Sequence, residues 1–213
     1  MKKRLHDKKA GIAILISLII ISLAEIIFRA AAMGFEAVLT TANFGEQLAV
    51  VVLAATILLL TAKGKDRACY ILYGAWMGYF VFDHIFELPG QFISALSSLS
   101  KSAMLSNGGV IDSIGVIAHV LTYVGIIVIG ILLLEYMNDG SIYNRAFNIS
   151  CAITLALLVL SVAISVYNVC MGIPLELMLL TFNNLYRIAM VFLSAFFAYD
   201  SAKMQLKKTN LTK

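Results

Sequence analysis

The sequence predicts an all-α protein, a polytopic membrane helix bundle of six transmembrane helices. Three observations predict it. Of 213 residues, 61% are hydrophobic and only 13% are charged, whereas a water-facing surface takes roughly a quarter charged residues. The apolar residues come in runs of bilayer length. The Lys and Arg residues that flank the runs fall mostly on one side. The chain has only two prolines, which leaves little room for a loop-rich soluble domain. Residues 1–213 are therefore expected to form a single integral membrane domain.

The basic N-terminus, residues 1–10, carries Lys2, Lys3, Arg4, Lys8 and Lys9 and leads into the first span, residues 11–28. This start resembles a secretory signal, with Ala30, Ala31 and Ala32 placed like a cleavage site. Its apolar run is longer than the ~7–15 residues of such a signal, so a retained signal-anchor helix is expected. The second span is residues 47–62, with its helix starting upstream near Asn43, and residues 63–67 form a tight basic turn. The third span is 68–88, closed by Pro89 and Gly90. Beyond it Phe92, Leu96, Leu99 and Ala103 recur at three- and four-residue steps, with Ser94, Ser97, Ser98 and Lys101 between them. That spacing predicts an amphipathic helix on the outer surface near residues 91–104. The fourth span is 111–136, followed by the turn signal Asn138-Asp139-Gly140-Ser141. The fifth is 146–171, broken at Gly172-Ile173-Pro174. The sixth is 175–199, and a basic tail, 200–213, follows. Residues 11–90 and 111–200 show no convincing internal repeat.

With six spans and the N-terminus inside, thirteen of the sixteen Lys/Arg residues lie on the cytoplasmic side. This bias predicts that both termini are cytoplasmic, in a bacterial cytoplasmic (inner) membrane. It also accounts for the net charge of +4 without nucleic acid. The partner of the basic clusters is the lipid bilayer and its anionic headgroups. Cys69, Cys151 and Cys170 form no C-x-x-C motif and no disulfide framework, and are read as small packing residues.

Ionisable side chains within spans are the pointers to function, because each costs at least about 2.5–3.5 kcal/mol at the bilayer centre. They are Glu25, Asp83, His84, Glu87, His119 and Arg187. Arg187 lies roughly 18 Å into the sixth span, near the midplane. Asn183 shares its helical face at i, i+4, and Asn184 borders that face at i, i+3. A guanidinium at this depth is expected to turn inward and pair with an acid, Asp83 first and Glu25 second. Such a pair either holds helices together or belongs to a substrate or ion path; a contact with a lipid headgroup is a third reading. Asp83, His84, Glu87 and His119 offer enough oxygen and nitrogen donors for a divalent metal. They lack a metal-site spacing such as H-x-x-x-H, so no metal and no cofactor are assigned. Gly74 and Gly78 form a G-x-x-x-G that admits a close helix, from the same chain or from a second copy in a homo-oligomer. No phosphate loop and no nucleophile–base set is visible, so an intramembrane enzyme is the least favoured of the readings.

These residues predict a small transporter or channel-like protein with a polar path in the outer half of its bundle. Its outward side is acidic, with Glu36, Glu46, Glu87, Asp112 and Glu176 against Arg29 and Lys101, a field that concentrates cations. The alternative is a non-catalytic sensor, scaffold or assembly subunit that acts through a membrane or cytoplasmic partner, for example in stress or phage defence. Its mark would be a dry interior with Arg187 locked in a salt bridge.

Overall fold

In lipid every backbone N–H and C=O must bond within its own segment, so long apolar runs fold as helices. The computed structural model describes residues 2–39, 41–102, 109–139, 145–170 and 176–211. They form six long helices and one short helical segment, and no strand occurs among them. The elements are α1 (Lys2–Met33), α2 (Phe35–Leu39), α3 (Ala42–Ala62), α4 (Asp66–Ser102), α5 (Gly109–Asp139), α6 (Arg145–Cys170) and α7 (Glu176–Leu211).

Among the described residues four helices are long and apolar enough to cross a bilayer: Lys9–Met33 of α1, Phe44–Ala62 of α3, Ser113–Glu135 of α5 and Arg145–Tyr167 of α6. The protein buries 39% of the α5 window and 17% of the α3 window. The remainder presents large apolar side chains such as Leu59, Leu121, Ile131 and Ile153. Water does not tolerate so much contiguous apolar surface, and a bilayer does. The expected third and sixth spans are helical too, within α4 and α7, but they are not among the four. Asp83, His84 and Glu87 interrupt the apolar run of the third, and the side chains of residues 176–180, at the start of the sixth, lie outside the described residues.

Several boundaries differ from expectation. The break at Pro89-Gly90 does not occur, because α4 runs through both residues. A proline removes one helical hydrogen bond, here at the Ile85 carbonyl, whereas ending the helix would orphan four carbonyls. The stretch after Pro89 is thus helical, as a continuation of α4 rather than a separate helix. Phe92 and Leu96 of its apolar row are exposed while Ala95 is buried; Ala103 lies outside the described residues. The chain reverses instead at Gly34 and Gly64, whose φ angles of 86° and 68° suit a residue without Cβ. Gly64 lets the Lys65 amide return to the Leu60 carbonyl at 2.9 Å and so close α3. The loop expected on the outer side after the first span is mostly helix, taken up by the end of α1 and by α2. The C-terminal tail continues α7 as far as Leu211. The break at Gly172-Ile173-Pro174 lies outside the described residues, as do Gly140 and Ser141 of the preceding turn.

By its contacts the chain divides into two compact units, residues 1–73 and 74–213, and the division falls inside α4. In the first unit α1 packs on α3. Leu15, Leu18, Ser22 and Glu25 form the buried stripe of α1, against Val50, Ala54 and Ile57 on α3. The Cys69 thiol, at the start of α4, donates to the Ile57 carbonyl at 3.7 Å. In the second unit α6 packs on both α5 and α7. Its buried stripe, Phe147, Cys151, Thr154, Leu158, Ser161 and Ser165, follows three- and four-residue steps. Four of these are small or hydroxyl-bearing, the side chains that let helices approach closely in lipid. All three cysteines are free; Cys69 and Cys151 are buried as expected, and Cys170 is exposed.

The glycines that set close approach are on α5. A Cβ on Gly125 would overlap Thr154 of α6, and one on Gly130 would overlap Val81 of α4. At Gly78, in the expected G-x-x-x-G, an added Cβ meets nothing within 4 Å; Gly74 is half-buried.

Candidate functional site around Arg187

Three helices of the second unit each bring one stripe of polar and aromatic residues together. On α4 Phe80, His84 and Glu87 follow at steps of four and three, which places them on one face. On α5 His119 and Tyr123 are one turn apart. On α7 Asn184 and Arg187 are spaced i, i+3. Tyr123 joins the three groups. Its hydroxyl donates to Glu87 Oε2 at 3.1 Å. Its ring centroid lies 5.0 Å from that of His84 and 5.2 Å from that of His119. The Arg187 guanidinium carbon sits over the same ring, 4.1 Å from its centroid.

Arg187 is only 2% exposed, and its Nε and Nη1 have no hydrogen-bond partner among the described residues. A cation over an aromatic face gains up to about 2 kcal/mol when desolvated, less than a buried charge requires. His84 is fixed from the other side. Its Nδ1 lies 2.9 Å from the Phe80 carbonyl oxygen, which makes Nδ1–H the donor and leaves Nε2 facing inward. That Nε2 and His119 Nδ1 are both buried without a hydrogen-bond partner among the described residues. The Phe80 ring lies against His84 at 4.2 Å and edge-on to Tyr186 at 5.8 Å. Asn184 is fully buried. Its amide Nδ2 donates to Ser161 Oγ of α6 at 3.0 Å, and its Oδ1 has no partner among the described residues.

The structure thus brings Arg187, His84 and His119 together around Tyr123, with Asn184 one turn from Arg187 on α7 and bonded to Ser161 of α6. Asp83, the first expected partner of Arg187, is half-buried on α4 and takes no part in these contacts. Asn183 is half-buried, and Asn184 is the asparagine turned inward. Glu25, the second expected partner, belongs to the first unit and is engaged on its own helix. Glu25 Oε1 accepts from Arg29 Nε at 2.9 Å and from Arg29 Nη2 at 2.7 Å. The side chains of Asp112 and Glu176, counted in the acidic outer side, lie outside the described residues.

Sequence reasoning missed Tyr123, Phe80 and Ser161. Two of them were within reach of simple spacing: Tyr123 is i+4 from His119, and Phe80 is i−4 from His84. Ser161 carried no such signal. Among the described residues no three His, Cys, Asp or Glu side chains are arranged to hold a metal ion.

The fold and the cluster define a helical protein with a buried polar site and, among the described residues, four membrane-length helices. No protein-family model, curated protein or solved structure matches the chain.

Proposed function

We propose that the protein is a small transporter or channel-like protein of six spans, with both termini in the cytoplasm and Arg187 at the centre of its polar path. The membrane would be a bacterial inner membrane. Arg187 carries the reading: it is 2% exposed, yet two of its nitrogens have no partner among the described residues. In native structures almost all buried polar atoms are satisfied. A buried cation left open, with open imidazole and amide atoms beside it, fits a site that something enters. An intramembrane ionisable residue is by default a functional hypothesis, and here several converge.

The sensor or scaffold alternative called for Arg187 locked by an acid. Among the described residues of 74–213, no carboxylate forms a salt bridge with it. The alternative therefore has less support.

Two experiments test the proposal. Reporter fusions at residue 213 and within residues 90–110 should report opposite sides of the membrane; the same side for both would overturn the six-span arrangement. Purified protein in proteoliposomes should pass a small ion or solute, and Arg187→Gln should reduce that flux at least tenfold. Liposomes as tight as protein-free ones, across cations, anions and small neutral solutes, would reject transport.

A further inference from the structure

Arg187 is one of several open groups, and their chemistry sets what they can receive. Nε and Nη1 of a guanidinium are donors only. Water can accept from them, but it cannot offset a full positive charge in a medium of low dielectric. Glu87 is the nearest acid by connectivity, and it is exposed and already accepts from the Tyr123 hydroxyl. The aromatic ring offers only its quadrupole. Asn184 completes the picture, because its Ser161 partner is a hydroxyl that can accept or donate. The amide can therefore turn either its oxygen or its NH2 toward the guanidinium side.

We propose that this cluster is a binding site for a small monovalent anion, held by Arg187 with Asn184 beside it and closed by the rings of Tyr123 and His84. The inference rests on the transport reading only for its purpose; the binding itself stands on the open donors. Arg187 supplies the charge, Tyr123 holds the guanidinium in place from one face, and the open Nε and Nη1 are the donors. His84 Nε2 and His119 Nδ1 border the site and accept a hydrogen bond from an anion that carries its own O–H, or from a water that enters with it.

The test uses the full chain in a non-ionic detergent. Its unfolding temperature is followed while acetate, nitrate or chloride replaces the bulky sulfonate of sodium HEPES at constant ionic strength. A ligand that binds only the folded state stabilises in proportion to RT ln(1 + [L]/Kd). At least one of the three anions should raise the unfolding temperature saturably, and Arg187→Gln should remove the response. Should Arg187→Gln fail to fold, Asn184→Ala is expected to weaken the apparent affinity at least fivefold. A flat response to all three anions overturns the proposal. So does a response that follows the cation when choline replaces sodium, or one that survives in Arg187→Gln. Stabilisation by phosphatidylglycerol micelles with none by the soluble anions would assign the site to a lipid phosphate and also overturn it. Cation flux in liposomes with no anion response would defeat this inference and leave the transport reading standing. Anion binding in a protein without flux would do the reverse.

Discussion

Glu25 and Arg187 are each 2% exposed, and each interrupts an apolar helix, but their charges are met differently. Glu25 finds Arg29 four residues on along the same helix, at 2.7 Å. The acid is N-terminal to the base, which is the favourable order for an i, i+4 pair. That pair forms whenever α1 forms, without help from another helix. Arg187 has no such neighbour on α7. Its surroundings come from α4 and α5, and they give it a ring and two imidazoles instead of a carboxylate. The difference teaches where to look for function. A charge neutralised within its own helix is part of the scaffold. A charge left open at the meeting of three helices is the kind of local inconsistency that proteins keep at working sites.

Four substitutions break or sharpen this contrast. The largest effect on stability is expected at Arg29. Arg29→Ala strands the buried Glu25 carboxylate and should lower stability by about 3–5 kcal/mol, read by denaturant or thermal unfolding in detergent. The double variant Glu25→Leu with Arg29→Leu should recover most of that loss. Ser161→Ala leaves the Asn184 amide with neither end bonded and should cost about 1–3 kcal/mol. Tyr123→Phe keeps the ring under Arg187 and removes the hydroxyl that bonds the exposed Glu87 and meets Arg187, so a loss of about 0.5–1.5 kcal/mol is expected. The smallest change belongs to Arg187 itself. Since no described acid is stranded by its loss, Arg187→Leu should stay within about 1 kcal/mol of the native protein, as apolar replacements of buried ions often do, while losing flux. A loss as large as that of Arg29→Ala would show that Arg187 is held by a structural counter-charge and would erase the contrast.

The sequence made the helices legible because helical periodicity and turn chemistry are local. The start of α3 near Asn43 and the turn at residues 63–67 both agree with the reading from residues alone. Pro89-Gly90 misled it, since a breaker signal does not weigh the cost of orphaned carbonyls against a single lost bond. The Glu25–Arg29 pair was written at i, i+4 but was overlooked, because Arg29 was assigned to an outer segment while α1 in fact continues to Met33. At the candidate site, the residue types were legible and their partners were not. Nothing in the sequence of α7 says that Arg187 will lie on Tyr123, because that depends on how α5 meets α7.

Gly130 gives α4 a fulcrum. The Val81 side chain sits where a Cβ on Gly130 would be, so it occupies a notch in α5. One turn along α5 in either direction stand Ile126 and Leu134. Sliding α4 by a turn, about 5.4 Å, would drive Val81 into one of them. Such a slide would meet a steric clash that a tilt about the notch avoids. Glu87 lies six residues from Val81, a lever arm of about 9 Å. A tilt of about 10° would carry it roughly 1.6 Å, enough to release a hydrogen bond that now spans 3.1 Å. The notch thus turns a small change in helix angle into a make-or-break event at the Tyr123 hydroxyl.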